Sequence, residues 1–131
     1  MDHPADYAMI ARGHDFRELL ENAARGFITL TADVAGLSPS DEFVAELNGE
    51  THEQVVVQVL REVLHLREDG YLPIKADVIE AGSDCWTLRV GAVALEPVAD
   101  RVEAIVKAIT YHDLHVVEDS GVLSARIVMD T

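Results

Sequence analysis

Two acids stand near opposite ends of this 131-residue chain, Asp6 and Asp130, and only Thr131 follows the second. An ordered chain end would set the Asp130 side chain beside the terminal carboxylate of Thr131, giving two hard oxygen donors together. If the first and last segments are neighbouring antiparallel strands, Asp6 joins them as a third anionic group. Such a set suits a divalent cation such as calcium or magnesium. Zinc is disfavoured where cysteine and clustered histidines are lacking. From spacing alone, solvated acids at two fraying ends are the simpler reading.

A second set of polar residues lies a little upstream: Lys107, Thr110, Tyr111 and His112. Read as a helix, this stretch puts Lys107 and Tyr111 four apart on one face, with Thr110 three from Lys107 and His112 at the helix end. A cation beside an acidic site could contact a phosphate, a nucleotide or a partner carboxylate. Taken alone, the same residues also read as a solvated lysine, a half-packed tyrosine and a helix-terminal histidine favoured by the dipole. The remaining histidines beyond His3, namely His14, His52, His65 and His115, are scattered. Cys85 beside Trp86 reads as core rather than nucleophile. No phosphate-binding glycine loop and no G-x-S-x-G element is present.

The elements that must position these residues follow from periodicity. Asp6–Ala11 alternates weakly as a first strand. Asp15 with Glu18 forms a capping pair before Phe16, Leu19, Leu20, Ala23, Phe27 and Leu30 at helical spacing. Glu42–Leu47 alternates as a second strand. Thr51 with Gln54 caps a second helix carrying Val55, Val56, Val59, Leu60, Val63, Leu64 and Leu66, and Gly70 stops it. Tyr71–Glu80 and Cys85–Leu95 read as two strands. Asp100 with Glu103 reads as a third capping pair, before a helix carrying Val102, Ile105, Val106 and Ile109. A closing hairpin, His115–Glu118 and Val122–Met129, turns at Asp119-Ser120-Gly121. There the alternation Leu123, Ala125, Ile127, Met129 holds the chain end. The expected order is β-α-β-α-ββ-α-ββ in one domain over residues 1–131, an α+β fold with three helices on mostly antiparallel sheet.

The chain carries 24 acids against 10 Lys plus Arg, a formal net charge of -14. Nucleic-acid phosphates are bound by Lys and Arg, so direct RNA binding is disfavoured, and a cation or a basic protein surface is the fitting partner. Solubility is the plainer use of the same charge. Aromatics are only 5%, so Val, Leu, Ile and Ala must build the core. The apolar runs are too short to span a bilayer. The opening MDHPAD shows no signal peptide, and the single cysteine excludes an intrachain disulfide. A cytoplasmic protein without membrane contact is expected.

Lys107-Ala108-Ile109-Thr110-Tyr111-His112, followed by a hairpin ending in Met129-Asp130-Thr131, resembles the C-terminal half of the archease family. Asp2-His3-Pro4-Ala5-Asp6 resembles that family's opening His-x-Ala-Asp, and Phe16–Phe27 its first helix. The resemblance implies a non-catalytic activator of the GTP-dependent RNA ligase of the RtcB type in tRNA splicing and RNA repair. Such an activator promotes ligase guanylation and multiple turnover, and meets RNA only through the ligase. It further implies a divalent-metal site, commonly calcium, at Asp6, Asp130 and Thr131, with Lys107 on the functional surface. The family usually ends in a bulky apolar residue, whereas Thr131 keeps the carboxylate without that anchor. Two other readings stand beside it. One is a small metal-dependent phosphohydrolase using Asp6, Asp130 and His112. The other is a chaperone-like modulator of nucleic-acid-modifying enzymes.

Overall fold

The structure, a computed structural model describing residues 7–131, is built around the last strand of the chain. In chain order the elements are β1 (Tyr7–Gly13), α1 (Phe16–Thr31), β2 (Asp41–Asn48), α2 (His52–Glu68), β3 (Tyr71–Gly82) and β4 (Cys85–Ala94). A 3-10 helix (Glu96–Arg101), β5 (Ala108–Ile109), β6 (Val116–Asp119) and β7 (Val122–Asp130) complete them. Every strand pairing is antiparallel. One sheet has β7 in the middle, with β1 on one side and both β5 and β6 on the other. The second sheet runs β2-β4-β3. This is the expected α+β architecture, with two α-helices and one 3-10 helix.

Both α-helices touch each other and strands of both sheets. That explains why α2 buries Val55, Val56 and Val57 in succession: one helical stripe could not serve two sheets. Its β-branched residues are poor helix formers, and their burial supplies the stability that propensity lacks. Phe27, Leu19, Leu20 and Leu60 share one continuous core with Leu88 of the second sheet and with Ile127 and Met129 of β7.

The helix starts follow the capping chemistry with one shift. The Asp15 side chain accepts from the Glu18 amide at 2.8 Å, and Thr51 Oγ1 accepts from the Gln54 amide at 3.1 Å. The returning side chains reach one residue further back than a simple box. Glu18 Oε1 takes the His14 amide at 2.9 Å, and Gln54 Oε1 takes the Glu50 amide at 2.8 Å. The Glu18 carboxyl is held below its ordinary value, mainly by that amide hydrogen bond from His14. Gly13 is needed where β1 meets α1, because a Cβ there would lie 2.4 Å from the Leu19 backbone nitrogen. The β6–β7 turn places Ser120 at φ 55° and Gly121 at φ 82°, both left-handed as a tight hairpin turn of this type demands.

The third helix is not where the sequence pattern puts it. The helical residues are Glu96–Arg101, in a 3-10 helix with proline in its first turn, and residues 102–107 are extended and lead into β5. Asp100 therefore caps nothing, and Lys107 and Tyr111 do not share a helix face. His112 is not at a helix end either; it lies in the turn after β5. Two periods fit the stretch Val102–Ile109. Val102, Ile105, Val106 and Ile109 match a helix. Ala104 and Val106 are buried while Glu103, Ile105 and Lys107 are exposed, which is the alternation of a strand. The β-branched content favours the second, and hydrogen bonding to β7 decides it.

This extended stretch is held against α1. The Glu103 and Ala104 amides both donate to the Thr31 carbonyl, at 2.9 and 3.2 Å, and Ala32 bridges to Val102. Arg67 of α2 closes the junction, donating to Thr31 Oγ1 at 2.8 Å and to the Ala104 carbonyl at 2.9 Å. Burial of the guanidinium pulls its pKa below the ordinary arginine value, so the charge is carried in a desolvated place. Arg67→Met keeps the stem and removes both bonds. It is expected to destabilise the protein by about 2 kcal/mol, read as a fall of roughly 6 °C in thermal unfolding. An unchanged transition would show the clamp to be idle.

Candidate functional site

The chain end is held from two sides. Tyr7 of β1 is the register partner of Met129, and on the other side Ile109 pairs with Met129 and Ala108 with Asp130. The Lys107 amide donates to the Asp130 carbonyl at 2.7 Å, and the Thr110 amide to the Val128 carbonyl at 3.1 Å. Met129 is fully buried between them, while Asp130 and Lys107 are exposed and Thr131 is partly buried. The fraying expected of a terminus is limited here, because Met129 pairs with a strand on each side and Asp130 with β5. Lys107 and Asp130 thus meet through their backbones at the end of the sheet where β1 begins, with Thr131 next in the chain. His3 and Asp6 lie outside the described residues.

The other residues expected at the site sit one step away. Thr110 Oγ1 donates to the Val128 carbonyl at 3.2 Å and accepts from the His112 amide at 3.2 Å, tying the following turn to β7. In that turn His112 pairs with its own neighbour, Nε2 to Asp113 Oδ2 at 3.2 Å, and both side chains are largely exposed. The Tyr111 ring turns instead towards α2, where the Arg61 guanidinium lies 5.6 Å from its centroid. Tyr111 and Arg61 line an open polar cleft of about 360 Å³ with Asn48, Gln58 and His65. Arg61 is a residue that local pattern does not single out, since on α2 it reads as an ordinary exposed position. Only the long-range approach of Ile109, whose carbonyl lies 3.5 Å from Arg61 Nη2, draws attention to it.

Glu53, in the first turn of α2, fixes where the turn ends. Its Oε2 accepts from the Val116 amide at 2.8 Å, joining α2 to the start of β6. That hydrogen bond holds the Glu53 carboxyl below its ordinary value, with His52 and His115 adding weaker attraction.

Among the described residues no group of three His, Cys, Asp or Glu side chains is placed to hold a metal ion. Asp130 and the Thr131 carboxylate are oxygen donors only, and their chemistry fits a hard cation rather than zinc.

Comparison with known proteins agrees with this architecture. The profile of the Archease protein family (MTH1598/TM1083) matches residues 1–131. The chain belongs to the archease family. It is 34% identical to the protein archease of Archaeoglobus fulgidus, over 99% of this chain and 96% of that one. It is 26% identical to the protein archease of Methanothermobacter thermautotrophicus, over 98% and 94%. The solution structure of Methanobacterium thermoautotrophicum protein 1598 shares the fold with a TM-score of 0.76 at 24% identity, over 100% of this chain and 96% of that one. So does the crystal structure of an archease, possible chaperone, from Thermotoga maritima, with a TM-score of 0.69 at 21% identity, over 100% and 98%. No helix among the described residues is long and apolar enough to cross a membrane.

The Glu53 bond gives a pH signature. Its folded-state pKa lies below the ordinary value of 4.5, so its stabilisation is complete above that value and disappears as the pH falls through the folded-state pKa. Glu53→Ala is expected to cost about 1 kcal/mol at neutral pH, since the carboxylate is partly solvated. The variant's unfolding midpoint should also depend less on pH as the pH falls below about 4.5. Equal pH dependence in variant and wild type would show that the bond does not couple to folding.

Proposed function

We propose that the protein is a non-catalytic cofactor that activates a GTP-dependent RNA ligase of the RtcB type, promoting its guanylation and repeated turnover through an acidic divalent-metal site. Family membership supports the reading, and the ordered chain end carries it: β7 sits between β1 and β5, so Asp130 and Lys107 meet through their backbones where β1 begins, with Thr131 next in the chain. Asp6 immediately precedes Tyr7, the register partner of Met129, which recommends it as the third oxygen ligand.

In this reading Asp6, Asp130 and the terminal carboxylate of Thr131 would hold the cation, calcium before magnesium or manganese. When bound, that ion supplies charge compensation for phosphate oxygens. Lys107, exposed beside Asp130, contributes a positive charge to the same edge and is the group suited to meet a phosphate or an acidic side chain of the ligase. Thr110 serves mainly to fix the turn that carries Tyr111 and His112, the other residues of the expected functional surface, with His3 outside the described residues. The protein surface as a whole carries -14, so RNA is met through the ligase rather than directly. The phosphohydrolase reading has less support, because His112 is engaged by Asp113 in an exposed turn rather than directed at Asp130. The words "possible chaperone" attached to the Thermotoga maritima relative keep a broader modulator as the second reading.

Calcium titration of wild type and Asp130→Ala by calorimetry separates these. Binding in the wild type and a loss of roughly tenfold or more in the variant are expected. In a ligase assay, folded Asp6→Ala and Asp130→Ala should fail to stimulate guanylation. Normal stimulation by both would refute the metal-site mechanism, and stimulation of unrelated enzymes independent of both acids would favour the chaperone-like reading.

A further inference from the structure

The sheet that carries the chain end has one face turned away from the core. Ala125, Ile127 and Met129 of β7 belong to the core, so Ser124, Arg126, Val128 and Asp130 lie on the other face. Pairing with β1 and β6 fills that face in. Val128 stands opposite Ala8, Arg126 opposite Ile10, and Ser124 between Arg12 and Val117. Ile10 is 55% exposed and Val117 is 52% exposed. Both arginines are exposed as well. The acids of this face, Asp119 and Asp130, stand at its two ends. Its middle therefore interleaves aliphatic side chains with arginine and holds no Lys, Asp or Glu. That is the composition of a protein interface centre rather than of a solvated sheet face.

The two arginines are diagonal neighbours on adjacent strands, which sets them about 7 Å apart. Among the described residues neither guanidinium makes an ion pair. Elsewhere the arginines are matched to acids: Arg17 and Arg25 pair with Glu21, and Arg89 of the second sheet stands opposite Asp77. Two like charges side by side repel, and a carboxylate set between them turns that repulsion into attraction. An acidic segment with aliphatic residues is complementary to the face in both charge and polarity. A second copy of this chain, laid there about a two-fold axis, would set arginine against arginine. Single-stranded nucleic acid calls for aromatic platforms, and none lies on this face among the described residues.

We propose that this outer face docks an acidic segment of the partner protein, with Arg12 and Arg126 binding its carboxylates and Ile10 and Val117 its apolar side chains. The inference rests on the activator reading for which partner to test. It adds how that partner is held. Arg126 and Asp130 are four residues apart on the same face of β7, about 13 Å along the strand, with Val128 between them. A segment lying along the face thus meets arginine in the middle and the chain-end acids beyond, where a further carboxylate is repelled. Affinity and activation reside in adjacent but separate residues.

The experiment measures binding of the RtcB-type ligase to wild type, to the double variant Arg12→Gln/Arg126→Gln and to Arg89→Gln. RNA binding and sedimentation of each chain alone accompany it. Both arginines are exposed, so the double variant should fold with wild-type thermal stability while ligase affinity falls roughly tenfold or more. Raising the salt should weaken wild-type binding more than that of the double variant. Arg89→Gln should keep ligase affinity within about threefold of wild type. An equal loss in Arg89→Gln would show a response to net charge alone and overturn the docking face. Full ligase affinity in the double variant would overturn it too, and leave the activator reading intact. A wild-type chain that neither binds nor stimulates the ligase would defeat that reading and this inference with it. RNA binding by the wild-type chain alone, lost in the double variant, would assign the arginines to phosphate and overturn the proposal. So would a wild-type dimer that the double variant dissolves, which would assign the face to self-association.

Discussion

The hydrogen bonds made by β7 on both its edges organise the rest of the molecule. β1 occupies one edge over seven register pairs, from Tyr7↔Met129 to Gly13↔Leu123. The other edge is shared, with β6 along its first half and β5 along its last two residues. A strand at a chain terminus is ordinarily an edge, and an edge that frays. Here the terminus is interior to its sheet, so its residues are fixed by neighbours from opposite ends of the sequence. That arrangement lets Asp130 stay exposed while Met129 beside it is fully buried.

The cost of inserting β5 next to the terminus is a long, irregular path from β4 to β6. The chain crosses the end of α1 on the way, and the crossing needs partners for its backbone groups. Thr31 provides them twice: its carbonyl accepts two amides, and its hydroxyl links Arg67 to the Phe27 carbonyl. Thr31 is the buried polar residue among the described residues, and its hydroxyl accepts the Arg67 bond of this junction while donating within α1. Arg67 is tolerated in a desolvated place because its donors meet oxygen at both ends. The stretch 102–107 is extended largely because α1 and β7 each hold one end of it.

The parts legible in the sequence are those whose signal is local. Asp15 and Thr51 announce helix starts, the alternation Leu123, Ala125, Ile127, Met129 announces β7, and Ser120-Gly121 announces its turn. Both β-hairpins and both α-helices follow from such signals. Val102–Ile109 was ambiguous because its apolar residues satisfy a period of 3.6 and a period of two at once, and only pairing with β7 and the contact with Thr31 choose between them. A helical period through this stretch would put Tyr111 on a shared face with Lys107, whereas its ring lies against Arg61. Of the chain-end residues, Lys107 and Asp130 meet through a backbone hydrogen bond where β5 pairs with β7. Arg61 and Glu53 could not be found from pattern, since each acts on a backbone group more than forty residues away.

Charge then acquires two distinct uses in one small acidic protein. Acids scattered over a surface raise solubility, and their mutual repulsion is screened at physiological salt. Acids at an ordered strand end are different: the Asp130 backbone is bonded to Lys107 and Thr131 follows it directly, so the two anionic groups stay near each other, and the metal reading proposed above rests on that closeness.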